Sequence, residues 1–479
     1  MIVFLLRLAL KGVGKIFFLS TIVFLFFSCT DEDAGSECTF NDEILISESY
    51  LIPDKETKVV STVLNFKNLD AIDYLMVSKS GGDFYSVKIE RDELSLNYEF
   101  NYKIQQSDPD FFRLILVAYY KNGTISEKAF LDVDNRWGFF IRKVDRIARV
   151  TGNSLAGETF ACPNNTVSDW NVGGTDLGII WEIQTGVYGI FFGDTYGYDF
   201  RPNPSAPGPN GGNWRSNVLA YSTDDSLDDG LFFDEMALDD KGNAREIIPG
   251  GKDVSGRGDW TSIPTAAIHA NGMEYVHYFN MRNWTGWVIN YSGMYKSTDK
   301  GLSWIKCTDV SFSPNSNFAQ VGYFKRDGYV YMIGTQAGRN SCAKLARFLE
   351  TDIENLANYE YWDASSSGWV KGDESKATIL IDDKVGELSF IYNKTYKKWI
   401  IAYFNADRYN ITMRVADEIT GPWSEPYELA NGNDYPQLYG SFFHPLSVEG
   451  DDLYFTMSMW MPYNVFLMRA RLADMGAFN

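Results

Sequence analysis

The chain has 479 residues, a formal net charge of −20 and 16% aromatic residues. Such a negative charge argues against a nucleic-acid or polyanion partner and is compatible with a neutral substrate. Only three histidines are present, and no two of the five cysteines have metal-finger spacing, which argues against a histidine-based zinc site. We therefore predict neither a metal nor a cofactor.

The N-terminal residues have the pattern of a targeting segment. Basic residues precede an apolar run at 16–27 that is too short to span a bilayer, and Ser28 and Cys29 follow it. The segment ending at Cys29 resembles a bacterial lipobox, which implies acylation of that cysteine. We predict a lipoprotein signal peptide at residues 1–28, an acidic tether at 29–41 and a lipid anchor in the outer membrane, with the protein facing outward. A plain signal peptide with an incidental cysteine is the alternative.

Residues 42–134 have short strand-like runs separated by turns. The dipeptide Asn122-Gly123 is a strong signal for a hairpin between the runs on either side of it. Such a pattern over roughly 90 residues predicts an Ig-like β-sandwich. The segment has no acidic pair or aromatic cluster typical of a site, so we interpret it as a spacer, with a carbohydrate-binding module as the alternative.

Residues 135–144 have the composition of a linker, and strand-rich units recur after it. The units comprise residues 174–195 with 217–223, then 264–304, 320–362, 386–423 and 441–472. Irregular repeats of this kind, each with three or four strands, are typical of propeller blades. We predict a five-bladed β-propeller at residues 144–479. Pairing of residues 147–151 with the last blade would close it, because an open propeller leaves an exposed sheet edge.

One motif supports the propeller independently. Residues 297–304, Ser-Thr-Asp-Lys-Gly-Leu-Ser-Trp, match the Asp-box pattern S-x-D-x-G-x-x-W. In this turn between outer strands of a blade, the aspartate caps the backbone and the tryptophan packs between blades. Because the turn lies on the rim, we exclude Asp299 from the site.

Two apolar runs joined by a Gln-Thr-Gly turn lie at residues 174–195, with an aspartate near each outer end. Runs of β-branched and aromatic residues around such a connection predict a hairpin. A three-residue loop at 184–186 would place Asp176 directly opposite Asp194, with Cβ atoms about 4.5–5.5 Å apart. Carboxylates this close share a proton and can perform acid/base chemistry on a glycoside. Alternatively, both aspartates hydrogen-bond the backbone in turns.

In a propeller, the residues that open each innermost strand converge on one pocket. On the predicted strands these residues are Asp176, Pro264 with His269 further along, Val321, Glu387 and His444. Glu387 opens an apolar strand, where a carboxylate is costly to bury unless it is paired or bound to a ligand. We predict that Glu387, His269 and His444 bind substrate; an exposed, solvated Glu387 is the alternative.

A family resemblance rests on four motifs. They are Gly-Thr-Asp-Leu-Gly at 174–178, Phe-Gly-Asp-Thr at 192–195, Trp-Arg-Ser-Asn-Val-Leu-Ala at 214–220 and Gly-Glu-Leu-Ser at 386–389. Over residues 144–472 the chain resembles glycoside hydrolase family 183, a propeller family similar to endo-D-arabinanases. Those enzymes cut internal α-D-arabinofuranosyl linkages in the arabinan of arabinogalactan and lipoarabinomannan. The resemblance implies that Asp176 and Asp194 are the catalytic pair.

The predicted hairpin favours a retaining mechanism, since carboxylates about 5–5.5 Å apart belong to retaining glycosidases. We assign Asp194 as nucleophile, because the turn after it offers N–H groups, and Asp176 as acid/base with a pKa raised by the neighbouring charge. The reverse order is the alternative. Arg215 is a candidate for holding the nucleophile or a sugar hydroxyl, with a structural ion pair as the alternative.

Tryptophans near the predicted pocket mouth are candidates for stacking on sugar rings. They are Trp214, Trp260, Trp284, Trp287 and Trp460. Because most tryptophans in propellers pack between blades, we expect about two of them to touch ligand.

The leading hypothesis is a surface endo-acting hydrolase with arabinan as its polysaccharide substrate. One alternative is a five-bladed glycosidase for L-arabinan or xylan in which Glu387 is the general acid. Another is a catalytically silent glycan-binding lipoprotein. Besides Cys29, four cysteines could form two disulfides, with three possible pairings, and these are Cys38, Cys162, Cys307 and Cys342.

Overall fold

The computed structural model describes residues 44–476, and it is all-β, which confirms the all-β part of the predicted fold. The chain divides between Asn135 and Arg136 into two units, which are described in turn. The predicted signal peptide, Cys29, Cys38 and the acidic tether lie outside the described residues. Among residues 44–476, no helix combines the length and apolar character needed to cross a membrane.

The first unit consists of two sheets. Its strands are β1 (Ile44–Ile46), β2 (Tyr50–Leu51), β3 (Val59–Phe66), β4 (Ile72–Ser80), β5 (Ser86–Glu90), β6 (Asn97–Lys103), β7 (Phe111–Tyr120) and β8 (Ala129–Asp134). One sheet has the order β1-β3-β6 and the other β2-β8-β7-β4-β5. Along β7, alternate residues from Phe112 to Ala118 are buried, as expected for a strand with one face in a core. The predicted hairpin is present, because β7 pairs with β8 across the turn containing Gly123.

The second unit begins with β9 (Phe139–Arg149). The remaining strands are β10 (Leu177–Gln184), β11 (Val187–Phe192), β12 (Val218–Ser222), β13 (Glu235–Met236), β14 (Thr261–Ala270), β15 (Met273–Asn283), β16 (Val288–Ser297), β17 (Ile305–Phe312), β18 (Gln320–Arg326), β19 (Tyr329–Thr335), β20 (Ser341–Leu349), β21 (Glu360–Asp363), β22 (Gly368–Lys371), β23 (Ile379–Val385), β24 (Leu388–Asn393), β25 (Lys398–Asn405), β26 (Asn410–Ala416), β27 (Tyr427–Asn431), β28 (Leu438–Phe443), β29 (Asp452–Met459) and β30 (Asn464–Asp474).

The helices are short. The α-helix is α1 (Thr166–Trp170), and the 3-10 helices span Leu69–Ala71, Arg91–Glu93, Glu350–Asp352, Leu356–Asn358, Glu374–Lys376 and Pro445–Val448.

The sheets of the second unit follow one another along the chain. Their orders are β10-β11-β12-β13, then β14-β15-β16-β17, then β18-β19-β20-β21-β22 with β23 on β20, then β24-β25-β26-β27, and finally β28-β29-β30-β9. The first strand of each sheet contacts the first strand of the next, and β28 contacts β10. These first strands therefore surround a common centre. Most of the residues in these first strands are buried; β14, for example, is buried at every position except His269.

The predicted linker at residues 135–144 is not a linker along its whole length. From Phe139 onward it belongs to β9, which pairs antiparallel with β30. The apolar residues that lead this strand into the sheet include Phe140, which is buried. The pairing predicted for residues 147–151 thus begins earlier in the chain, and the linker is confined to the residues just before Phe139.

The Asp-box turn joins β16 to β17. Asp299 Oδ1 accepts hydrogen bonds from the Ser303 N–H at 2.8 Å and the Ser297 hydroxyl at 2.7 Å. The Trp304 ring packs against Phe191 of the preceding sheet, with ring centroids 5.3 Å apart. This contact joins two neighbouring sheets, which is the structural role predicted for the motif.

Candidate active site

The first strands of the second unit begin around a cavity of about 790 Å³. The residues at or just before these strand starts are Asp176, Thr261, Gln320, Glu387 and Leu438. All of them except Thr261 line the cavity. Such a concave site with few polar groups and an aromatic lining is typical of small-molecule or oligosaccharide binding.

The sequence placed some of these strand starts wrongly. Pro264, predicted to open its strand, lies three residues inside β14 beside a bulge. A proline is tolerated here because β14 is an edge strand of its sheet, where the backbone N–H that proline lacks is not needed for pairing with a neighbouring strand. Because the sequence pattern predicts the start of β14 at Pro264, it misses Thr261, which is the first residue of the strand.

The hairpin that carries the two aspartates is present, but its register near the cavity differs from the prediction. A bulge at Gly178, whose φ is 89°, shifts the pairing by one residue. Asp176 consequently lies opposite Gly193, whose N–H donates to the Asp176 carbonyl oxygen, and not opposite Asp194. A Cβ added to Gly193 would lie 2.3 Å from Asp176 Oδ1, so this glycine leaves the space that the carboxylate occupies.

The hairpin turn is also shorter than predicted. Gln184 pairs with Val187, so the loop has two residues, Thr185 and Gly186, instead of three. Gly186 has a φ of 72°, which suits the left-handed position that such turns favour. A second irregularity between Glu182 and Gln184 offsets the shorter turn, so the bulge at Gly178 alone removes the direct opposition of the aspartates, which no longer supports a retaining mechanism.

Asp176 has a strongly perturbed environment. Its Oδ2 accepts a hydrogen bond from the Tyr439 hydroxyl at 2.8 Å, while its Oδ1 is buried without a partner in residues 44–476. Burial, and then the nearby charge of Asp194, raise the pKa of Asp176 to about 8. A carboxyl group with this pKa is protonated at neutral pH and can act as a general acid.

Asp194 is buried, with 6% of its surface exposed, whereas Asp176 is half-buried, and Asp194 accepts more hydrogen bonds. Its Oδ1 accepts hydrogen bonds from the Thr261 hydroxyl at 2.6 Å and the Trp214 indole N–H at 2.7 Å. Burial raises the pKa of Asp194 to about 6, and these two bonds limit the rise. The two carboxyl groups therefore differ in pKa, with Asp194 the more readily ionised.

Glu387 is paired with an arginine that the sequence did not single out. Arg339 donates from Nε at 3.1 and 3.2 Å and from Nη2 at 2.7 Å to the two carboxylate oxygens of Glu387. The Arg339 guanidinium also lies over the Tyr439 ring, 5.1 Å from its centroid. Because Tyr439 donates to Asp176, an aromatic ring links the ion pair to the candidate acid. The alternative of a solvated, exposed Glu387 is wrong, since only 8% of it is exposed.

All five candidate tryptophans line the cavity. They are Trp214, Trp260, Trp284, Trp287 and Trp460. The rings of Trp284 and Trp287 meet edge to face, with centroids 5.2 Å apart. Trp214 lines the cavity and also donates a hydrogen bond from its indole N–H to Asp194.

The two predicted substrate-binding histidines do not line this cavity. His269 lies eight residues along β14 from its start, roughly 26 Å at the rise of a β-strand, and lines a separate cavity of about 770 Å³. Its Nδ1 is 2.7 Å from Glu274 Oε1. His444 follows the last residue of β28 and packs against Tyr188. Burial lowers the pKa of His444 to about 3, so its ring is neutral.

Arg215 does not hold a carboxylate or face the cavity. Its guanidinium donates to the backbone carbonyl oxygens of Asn213, Ala244 and Asn171 at 3.0, 2.8 and 2.7 Å. Burial lowers its pKa to about 10. Arg215 therefore ties loops together next to the site, and both predicted roles, with the sugar and with an ion pair, are wrong.

Several functional candidates escaped the sequence prediction, notably Arg339, Tyr439, Thr261 and Tyr463. The Tyr463 hydroxyl donates to the Asp194 carbonyl oxygen at 3.0 Å. The sequence contained one indication of Arg339, since a glutamate such as Glu387 at the start of an apolar strand requires a partner. Nothing in the spacing identified that partner as an arginine 48 residues earlier.

Within residues 44–476 the structure contains neither a candidate metal site nor a disulfide bond. No group of three His, Cys, Asp or Glu side chains there is placed to hold a metal ion. Cys162, Cys307 and Cys342 are free thiols, so none of the disulfides possible among these three is formed.

The second unit is thus an all-β module with an acidic, tryptophan-lined cavity at the centre of its sheets. Residues 161–469 match the family described as a domain of unknown function, DUF4185, and the chain belongs to this family. It is 28% identical over 306 residues to Notoamide biosynthesis cluster protein J' of Aspergillus versicolor, which covers 61% of this chain and 82% of the relative. It is 24% identical over 327 residues to an uncharacterized 35.9 kDa protein of Mycolicibacterium smegmatis, covering 61% and 88%.

Among solved structures, the exo-β-1,3-galactanase of Phanerochaete chrysosporium, determined with galactose, has 11% sequence identity. The likeness covers 64% of this chain and 63% of that one, with a TM-score of 0.39. The catalytic domain of the GH62 α-L-arabinofuranosidase of Coprinopsis cinerea is 10% identical, with coverage of 69% and 95% and a TM-score of 0.37.

Proposed function

We propose that this protein is an endo-acting glycoside hydrolase of family 183 that cuts internal α-D-arabinofuranosyl linkages of D-arabinan. The observation that carries the proposal is the placement of Asp176 and Asp194 in one tryptophan-lined cavity, in environments that separate their pKa values to about 8 and about 6. Glycosidases require one protonated and one ionised carboxyl group at the scissile bond, and this separation provides both at neutral pH.

In this scheme Asp194 is the nucleophile and Asp176 the general acid/base. The hydrogen bonds from Thr261 and Trp214 favour the ionised form of Asp194. The protonated carboxyl group of Asp176, which accepts a hydrogen bond from Tyr439 at Oδ2, is the source of the proton that passes to the leaving oxygen. The mechanism that we propose is retaining, and the stereochemistry of the product tests it.

The proposed architecture follows the sheet order. We propose that the second unit is a five-bladed β-propeller catalytic domain, which extends the predicted 144–479 back to Phe139 because β9 completes the fifth sheet. The succession of contacts from β10 through β28 and back to β10 supports this. For residues 42–134 we propose an Ig-like spacer, supported by the two sheets of the first unit.

The distribution of aromatic side chains supports endo action. Trp260 and Trp287 line the cavity next to β14 and β15, whereas Trp460 lies between β29 and β30. Apolar rings on both sides of the aspartates suit a chain that crosses the cavity and continues beyond it. The alternative in which Glu387 is the general acid is less well supported, since Arg339 already occupies both of its carboxylate oxygens.

Incubating purified protein with D-arabinan and with L-arabinan, and sizing the products, tests the function. We expect oligosaccharides from D-arabinan at low conversion. Release of monosaccharide alone at this stage would contradict endo action, and cleavage of L-arabinan alone would establish the other specificity. If neither polymer is cleaved but D-arabinan binds, the protein is a silent glycan-binding module.

We further propose that Cys29 carries a lipid anchor and that the protein faces outward from the outer membrane. The motivation is the lipobox-like segment and the acidic residues that follow it. Cys29→Ala should release soluble protein, and external protease should shave the wild type from intact cells. Protection of the wild-type protein until the cells are lysed would show that the assignment to the outer surface is wrong.

A further inference from the structure

Arg339 presents one free edge of its guanidinium to the cavity. Its Nε and Nη2 are bonded to Glu387, whereas Nη1 has no hydrogen-bond partner among residues 44–476 and is not enclosed by protein. Arg339 lines the cavity, and its side chain is 27% exposed. Two N–H donors of Nη1 are therefore available to a molecule in the cavity.

The guanidinium is held rigidly. Its central carbon lies 4.8 Å from the Phe404 ring centroid, 5.1 Å from that of Tyr439 and 5.2 Å from that of Trp287. Aromatic faces attract a cation at these distances, and the Glu387 carboxylate fixes the rotation of its plane. The free donors thus have a defined direction before any ligand arrives, which lowers the entropy cost of binding.

The charge of the pair indicates which acceptor suits this edge. Glu387 engages Arg339 through both of its oxygens and so compensates the positive charge locally. Beyond the pair, the other carboxyl groups in the cavity lining belong to Asp176 and Asp194, and the ionised Asp194 gives the lining a negative charge at neutral pH. An uncharged oxygen is therefore a better partner for Nη1 than a carboxylate or phosphate, which the acidic lining would repel.

The position of Arg339 identifies the part of a substrate that it reaches. Tyr439 lies beneath the guanidinium, and its hydroxyl donates to Asp176 Oδ2. A group bound at Nη1 consequently lies beside the proposed acid. Building on the proposed glycosidase function, we propose that Arg339 binds a hydroxyl group of the sugar residue next to the scissile bond. Glu387, predicted from sequence to bind substrate, is on this account a positioning residue that acts through Arg339.

The first test compares Arg339→Met with the wild type on arabinofuranosyl oligosaccharides that each lack one hydroxyl group. We expect kcat/KM on the complete substrate to fall about 10- to 100-fold, the range for a hydrogen bond from a charged donor. The wild type should discriminate against one of the deoxy substrates by a similar factor. The variant should cleave that substrate and its parent at equal rates, a change that a merely structural role would not produce.

Arg347→Met is the matched control. Arg347 also pairs with a glutamate, donating from Nε to Glu360 at 2.7 Å, and lies 4.4 Å from Tyr329 and 4.1 Å from Trp369 ring centroids. It is absent from the cavity lining. Loss of an aromatic-flanked ion pair should therefore lower stability in both variants, while the discrimination between substrates changes only in Arg339→Met.

Removing Arg339 alone leaves the Glu387 carboxylate buried without its partner, which can impair folding. The double variant Arg339→Met with Glu387→Leu removes both charges and keeps the test valid. We expect it to fold and to lack the discrimination. The inference about Arg339 is overturned if this variant keeps wild-type kcat/KM and still rejects the deoxy substrate, or if the wild type prefers a uronic acid at this position. If the wild-type protein cleaves no arabinan at all, the proposed function fails first.

Discussion

Replacing Asp194 by alanine is expected to remove nearly all hydrolysis of D-arabinan, lowering kcat on the order of 10⁴-fold or more, as loss of a nucleophile does in other hydrolases. Asp194 is the carboxyl group with the lower pKa, about 6, so it is ionised at neutral pH. Donors from Thr261 and Trp214 fix its orientation. The initial rate of product release, at equal concentrations of folded protein, measures the effect.

Asp299→Ala is the matched control for this variant. Asp299 accepts hydrogen bonds in the turn between β16 and β17, and these bonds lower its pKa to about 2. Its loss should therefore lower thermal stability and leave kcat per folded molecule unchanged. An Asp194→Ala protein that keeps a tenth or more of the wild-type kcat would exclude Asp194 as nucleophile.

Chemical rescue separates a nucleophile from a general base. If Asp194 forms a covalent intermediate, azide or formate should restore part of the turnover of Asp194→Ala, and the product should have the anomeric configuration opposite to that of the wild-type product. The first anomer released by the wild type, followed by NMR, is the reference. Release of the inverted anomer by the wild type would contradict retention.

A graded perturbation of the same carboxylate is available in Trp214→Phe. The change removes the indole N–H bonded to Asp194 and keeps an aromatic ring in the cavity wall. Loss of a donor raises the pKa of Asp194 further, because the ionised form is stabilised less. The acidic limb of the profile of kcat/KM against pH should therefore move to higher pH. In Trp260→Phe, which alters the same lining at a residue not bonded to Asp194, this limb should stay in place.

The sequence revealed the site residues whose environment is local. Apolar runs bounded by glycines located β10 and β11, and the aspartates near their outer ends lie in the cavity. Glu387 stood out because a carboxylate at the start of a buried strand requires a partner. These features depend on a few neighbouring residues, so spacing and composition were enough to find them.

The rest depended on details that spacing does not encode. One bulge at Gly178 places Asp176 opposite Gly193. The alternation of residues in the sequence predicts only a regular ladder without bulges, so it could not predict this register. His269 lies near the end of β14 that is remote from the central cavity, where it lines a different cavity. Arg339 lies in a loop, and its contact with Glu387 forms only when two sheets meet.

Replacing Asp176 by asparagine is expected to separate substrates by their leaving groups. General acid help is worth about 10²–10⁴-fold, so hydrolysis of D-arabinan should fall by that factor. Aryl arabinofuranosides with acidic phenols need little protonation and should lose far less. Initial rates on a series of aryl glycosides measure this dependence; an equal loss on all of them would assign Asp176 a role other than general acid.

The same variant should change stability in a direction fixed by the raised pKa of Asp176. The folded protein holds this proton up to about pH 8, whereas an unfolded chain releases it near the usual value for aspartate. Ionisation therefore costs wild-type stability progressively as pH rises from about 4 to about 8. Asparagine removes that cost, so the midpoint of thermal unfolding of Asp176→Asn should exceed that of the wild type at pH 9. The difference should shrink toward about pH 3, where the wild-type carboxyl group is largely protonated in both states. A gap that is constant with pH would mean that Asp176 does not titrate in this range, and that its buried environment does not hold the proton that the proposed mechanism requires.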